Sequence, residues 1–172
     1  MVGFLVLFSF IVLLSPQPVA AASSAQIDRD VKAALEDLYA SSPAAKTLSS
    51  DAKAVLVFPD VVKAGLIVGG QFGEGSLLKN GATAGYYNTV AASYGLQAGA
   101  QKFGYALFFM SDKAVDFLVS SNGWEIGVGP SIVIVDEGVA KSLTTTTGRD
   151  EIYAFFFNQK GLMAGLGLQG SK

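Results

Sequence analysis

Pro59 interrupts a strongly apolar stretch, KAVLVFPDVVKAGLIVGGQFGEGSLL over residues 53–78. Proline has no backbone N–H and a fixed φ, so it breaks the ladder of any sheet it enters. The run after it passes into Gly69, Gly70, Gly73 and Gly75. The pattern predicts two strands, 54–58 and 65–71, joined by a proline turn. Glycines at this density predict a sheet that bends sharply or lies close to another part of the chain.

Helical periodicity precedes this stretch. Ile27, Val31, Ala34, Leu35, Leu38 and Tyr39 fall on one face of a predicted helix over 26–41, with Ser24 as its cap. Ser42-Pro43 reads as the cap and first residue of a second, short helix reaching about Ala52. Strand patterns follow at 76–78, 86–91, 93–101 and 105–110, with Lys79-Asn80-Gly81 as a turn signal. Ser111-Asp112 opens a third helix to about Ser120, and strands are predicted at 124–129, 132–135, 152–157 and 162–168. The Thr144–Thr147 run reads as a polar loop or edge strand. The expected fold is α+β: N-terminal helices packed on a strongly curved, glycine-rich antiparallel sheet or partly closed barrel, with one inserted helix. The 20 glycines favour curvature, because flat sheets do not need them.

The same sequence narrows the chemistry. It has no Cys and no His, which removes disulfides, thiol catalysis, zinc ribbons and imidazole acid–base chemistry. Basic residues number 12 against 14 acidic ones, and Arg29 and Arg149 are the only arginines. No basic face for nucleic acid is expected from that balance. No cofactor and no metal site are expected. At the N-terminus, the apolar Val2–Leu14 run, Pro16 and Pro18, and Ala20-Ala21-Ala22 read as a signal peptide over 1–22, although no Lys or Arg precedes the run. Residues 23–172 then form a single domain in an exported protein, at the periplasm or cell surface.

The motifs of catalytic type have simpler structural readings. Ser50-Asp51-Ala52-Lys53 matches S-x-x-K, the serine nucleophile pattern, but S-D-N and K-T-G companions are missing. A Ser–Lys hydrolase is therefore the weakest of the functions considered. The glycines at 69–75 and at Gly127-Val128-Gly129-Pro130 lack the G-K-[ST] of a phosphate loop. Asp136-Glu137 and Asp150-Glu151 are neighbours, which on a strand face opposite sides. Asp112 and Asp116 share a helix face and read as solvated. Lys53, Lys63, Lys79 and Lys102 flank strands and turns, where a cluster of ammonium groups would hold anionic lipid headgroups.

Three blocks carry a family resemblance: 53–78, ASYGLQAGAQKFGYALFFMSDKAVDFL at 92–118, and IYAFFFNQKGLMAGLGLQGSK at 152–172; GVGPSIVIVDEG at 127–138 fits as well. The chain resembles the SYLF family of lipid-binding domains, some eukaryotic members of which are described as actin-binding. With no SH3 or FYVE-type module attached, it looks like the bacterial secreted branch. The resemblance implies phospholipid binding, with phosphoinositides as the known ligands of eukaryotic relatives and an N-terminal amphipathic helix assisting membrane contact. Here the segment 26–41 is acidic, with Asp28, Asp30, Glu36 and Asp37 against Arg29 and Lys32. The expected function is non-enzymatic binding of a phospholipid or membrane surface. The alternative is an envelope domain that binds a protein partner; actin is not expected as the partner of an exported chain.

Overall fold

In a computed structural model the chain is described for residues 22–65, 68–94, 99–121, 123–125, 129–135, 150–161 and 169–171. Two helices come first, α1 (Ser24–Ser41) and α2 (Pro43–Asp51). Four long strands follow: β1 (Ala54–Gly65), β2 (Val68–Lys79), β3 (Ala82–Tyr94) and β4 (Gly99–Phe109). The inserted helix is α3 (Asp112–Ser120), and after it come β5 (Gly123–Glu125), β6 (Ile132–Val135), β7 (Ile152–Gly161) and β8 (Gln169–Ser171). The strands form one sheet in the order β5-β8-β3-β2-β1-β4-β7-β6. The fold is α+β, and the sheet is curled without closing.

Capping fixes the helix starts. The side chain of Ser42 accepts from Ala45 N, with Pro43 at the first helical position, and Ser111 accepts from Ala114 N. For α1 the cap is Ser23, one residue before the predicted Ser24, and its hydroxyl accepts from Gln26 N. Asn80 and Gly81 have φ of 53° and 77°, which close the β2–β3 hairpin as its sequence predicts.

Each face of the sheet has its own core. On one face α1 and α2 bring Ile27, Val31, Leu35, Leu38 and Leu48 onto Val55, Val57, Ala106, Phe108 and Phe155. On the other, α3 brings Ala114, Val115 and Leu118 onto a cluster that includes Leu56, Phe58, Leu107, Phe109 and Ile152. We call these the α1 face and the α3 face.

Three expectations need correction. First, Pro59 is not in a turn. β1 runs unbroken from Ala54 to Gly65, and the second strand begins at Val68 and absorbs the predicted short piece at 76–78. The proline lies in a β-bulge: the register with β2 shifts between Val57 and Asp60, and that with β4 between Phe58 and Val61. A bulge leaves one residue out of the ladder, which suits a residue without an N–H. Second, the sheet is mixed, because β6 pairs with β7 in parallel. Third, the expected strand 86–91 lies within the longer β3, while the expected strand 93–101 straddles the end of β3 and the start of β4, with 95–98 outside the described residues. The expectations for 144–147 and 162–168 lie outside the described residues.

The glycines fit around the bulge. A Cβ on Gly75 of β2 would stand 2.0 Å from the Val57 carbonyl oxygen and 2.8 Å from the Phe58 ring. One on Gly104 of β4 would stand 2.7 Å from the Pro59 carbonyl oxygen and 2.2 Å from the Phe157 ring. Beyond Gly104, β7 has a register shift of its own, with Asn158 at a φ of 54°. The line Gly75–Pro59–Gly104–Asn158 is thus a crease across four neighbouring strands, where bulged strands bend and twist more strongly. Gly70, by contrast, has only one neighbouring atom at 4.0 Å from a built Cβ.

These positions separate in a stability measurement. Gly75→Ala is expected to lower the urea unfolding free energy by about 2–3 kcal/mol, as overpacking against backbone does. Gly70→Ala is expected to change it by less than about 0.5 kcal/mol. Equal effects at the two positions would contradict the crease.

Candidate functional site

Alternation along a strand normally puts apolar side chains inside and polar ones outside. Beyond the crease this sheet does the reverse. Lys63, Gln71 and Gln101 are buried, with 7%, 5% and 7% of their surfaces exposed. They form one cross-strand row on the α3 face, since Lys63 lies opposite both Gln71 and Gln101. In the next row toward the crease stands Thr89, fully buried, whose hydroxyl accepts from Gln71 Nε2 at 3.2 Å. Thr89 fits because its neighbour across the pair is Gly73, where a Cβ would stand 3.0 Å from the threonine methyl. Burial holds the Tyr105 phenol well above the usual pKa, and a hydrogen bond with Thr89 offsets part of that shift.

The α1 face shows the complementary half of the inversion. Val62, Phe72 and Val90 are direct cross-strand neighbours and are 49%, 47% and 54% exposed. Lys102 continues the row on β4, opposite Val62. One row further from the crease come Ala100, Ala64, Gly70 and Ala92, all exposed. One row nearer stand Asp60 and Glu74, opposite each other. Lys102 Nζ lies 3.0 Å from Asp60 Oδ1, with the two side chains 52% and 60% exposed. A pair so open to water contributes at most about 1 kcal/mol. The result is a low, apolar three-strand surface edged by a neutralised lysine and two carboxylates.

The helix α1 stops short of this surface. Its apolar stripe is already buried, with Ile27, Val31, Ala34, Leu35 and Leu38 inside. It is pinned by Asp28, which accepts from Thr83 Oγ1 at 2.8 Å and from Tyr86 Oη at 2.9 Å. The hydrogen bond to Asp28 also raises the Tyr86 pKa. In this state α1 cannot offer the same stripe to a membrane.

The four lysines singled out from sequence do not come together. Lys53 precedes β1 and Lys79 ends β2, both exposed at the end of the sheet where these strands meet the helices. Lys63 and Lys102 lie beyond the crease, roughly 33 Å of strand from Lys53. Those two also face opposite sides: Lys63 is buried among amides and Lys102 is exposed beside Asp60. Among the other motifs, Ser50 sits in the last turn of α2 and donates to the Thr47 carbonyl at 2.7 Å, away from the helix start that S-x-x-K chemistry uses. Asp150 and Glu151 accept from Ser131 and tie the starts of β6 and β7 together. Asp136-Glu137 lies outside the described residues. No group of metal-binding side chains occurs among the described residues, and none of their helices is long and apolar enough to cross a membrane.

Sequence reading missed Val62, Phe72 and Val90. Their signal is the polar partner set: two glutamines and a lysine at the alternate positions of the same strands. The Pro59 bulge is what brings Lys63 into that inner set, where regular alternation already places Gln71 and Gln101.

Comparison with known proteins bears on the later part of the chain. The model of the Ysc84 family, described as Las17-binding protein actin regulator, matches residues 90–172. Over that segment the chain is similar to the Ysc84 (SYLF) family. SYLF domains are known for binding lipid and actin. The SYLF match takes in β4, α3 and the later strands and begins at Val90, so Val62 and Phe72 lie on strands before it. No curated protein sequence matches the chain.

Burial of Tyr105 makes stability depend on alkaline pH. Its folded pKa lies above the unfolded value of about 10, so the neutral phenol stabilises the fold fully below that pH. The stabilisation is lost as pH rises through and beyond about 10. Thermal melts between pH 8 and 12 are expected to show a decline in the alkaline limb that is shallower in Tyr105→Phe. Identical limbs would contradict the burial of this hydroxyl.

Proposed function

We propose that the chain is an exported, non-enzymatic domain that docks on phospholipid surfaces through the Val62–Phe72–Val90 row. The observation that carries this reading is the row itself: large apolar side chains on three adjacent strands, about half exposed, on a part of the sheet that no described helix covers. The similarity of residues 90–172 to a family known for binding lipid and actin supports it. Monomeric proteins keep contiguous exposed apolar patches for contacts with a membrane or a partner. The low rows of alanine and glycine beside it let the strands lie close to a flat interface. Export is supported by the sequence of residues 1–22 and by Ser23, which still caps α1 if cleavage follows Ala22.

The charges around the row shape the binding mode. Lys102 is paired with Asp60, and Glu74 adds a second carboxylate. Attraction to anionic headgroups is therefore weak, and shallow insertion of apolar side chains carries the binding. The dispersed lysines agree with this mode better than with a headgroup-binding cluster.

Liposome co-sedimentation tests the reading. Phe72→Ser is expected to weaken binding about tenfold, the loss from withdrawing half or more of a phenylalanine from an apolar phase. Lys102→Gln is expected to change it less than about threefold, and raising the salt from 50 to 500 mM to have a similarly small effect. Unchanged binding in Phe72→Ser would overturn the assignment. Failure of the wild-type chain to bind neutral or anionic vesicles, together with a protein that co-purifies only when Phe72 is intact, would establish a protein-interaction surface instead.

A further inference from the structure

The exposed apolar row is bordered by an unbalanced set of charges. Asp60 and Glu74 stand directly opposite each other on β1 and β2, one row from Val62 and Phe72 on the same face. Like charges in that relation repel. Lys102 answers Asp60, with Nζ at 3.0 Å from Oδ1. Among the described residues no cation stands beside Glu74. Ala22 N donates to Glu74 Oε2 at 3.0 Å, which satisfies one oxygen without neutralising the carboxylate. We infer that the docking surface selects bilayers whose headgroups carry a primary ammonium group, as ethanolamine phospholipids do, and that this group seats on Glu74 while Phe72 enters the lipid beside it.

Charge complementarity separates the common headgroups. An anionic headgroup meets two carboxylates and a lysine that is already shared with one of them, and a repulsive element of this kind is how a surface rejects a wrong partner. A choline headgroup has a cation without N–H, so it has no hydrogen to donate to a carboxylate oxygen. A primary ammonium offers three donors, and charge-assisted bonds to carboxylate are the strong ones. The spacing fits as well. Lys102, Asp60 and Glu74 lie in the order plus, minus, minus across three adjacent strands. The two-carbon link of ethanolamine separates phosphate from ammonium by about one strand spacing, roughly 5 Å. The headgroup can therefore lie across the strands with its ammonium on Glu74 and its phosphate toward Lys102. Glu74 and Phe72 are two residues apart on one face of β2, roughly 7 Å, so the ion pair and the ring engage the same leaflet. The inference rests on the lipid reading and adds the class of headgroup to it.

Three kinds of vesicle test it at 50 mM salt: phosphatidylcholine alone, with an equal share of phosphatidylethanolamine, and with an equal share of phosphatidylglycerol. Co-sedimentation compares the wild-type chain with Glu74→Gln and Glu74→Lys. The wild-type chain is expected to bind the ethanolamine vesicles about threefold more tightly than those of phosphatidylcholine alone, as one exposed ion pair gives. Glu74→Gln is expected to lose that gain and to keep its binding to phosphatidylcholine. Glu74→Lys is expected to reverse the preference in favour of phosphatidylglycerol, a change that a damaged fold does not produce. Ethanolamine lipids also pack differently from choline lipids, and any advantage this gives to apolar insertion is retained in Glu74→Gln, because Phe72 is untouched. Equal gains in the wild-type chain and Glu74→Gln, or no gain in either, would overturn the headgroup inference and leave docking through Phe72 standing. Failure of the wild-type chain to bind any of the three vesicles would overturn the docking reading and this inference together.

Discussion

A proline in the middle of a central strand cannot complete the ladder with its neighbours. β1 lies between β2 and β4 and pairs with both, so the defect at Pro59 reaches both sides. The bulge turns its carbonyls toward the adjacent strands, and each meets a glycine: Gly75 near Val57, and Gly104 near Pro59. Any larger residue there would meet backbone oxygen inside contact distance. The irregularity continues as the register shift in β7 at Asn158. One missing N–H thus sets a requirement for glycine on two other strands and creases the sheet.

The bulge also decides which side chains face which way. A regular strand would put Phe58, Asp60 and Val62 on one face. With one extra residue, Phe58, Val61 and Lys63 share the α3 face, while Val62 moves to the α1 face beside Phe72 and Lys102. The same sequence without the bulge would expose Lys63 and bury Val62. The parity change on β1 thus brings Lys63 into the polar interior row and Val62 into the apolar exterior row, joining Gln71, Gln101 and Phe72, which the unbroken alternation of β2 and β4 places there. The half of the sheet under α1 and α2 follows the usual arrangement and supplies stability. The half beyond the crease departs from it and carries the proposed docking surface.

Much of the fold could be read from the residues. Ser42-Pro43, Ser111-Asp112 and Lys79-Asn80-Gly81 are local signals whose meaning does not depend on distant contacts, and each marks the boundary it was expected to mark. The apolar stripe of α1 was legible for the same reason. The continuity of β1 was not, because a proline reads locally as a break and only pairing on both sides makes it a bulge. The candidate surface was illegible for a related reason. Val62 and Lys63 are adjacent, and which of them points outward depends on a parity set four residues earlier. The lysines were singled out by charge, and charge carries no information on the face or the end of the sheet that a residue occupies.

The row beyond Val62, Phe72 and Val90 on the α1 face, Ala100–Ala64–Gly70–Ala92, contains nothing larger than a methyl group. Packing does not impose this, since Gly70 has open space where a side chain would be. The row works as a spacer of minimal height. On the proposed lipid reading it would fix the stand-off between the peptide backbone and the membrane, so the depth Phe72 reaches would be set by the smoothness of its surroundings as much as by the ring itself.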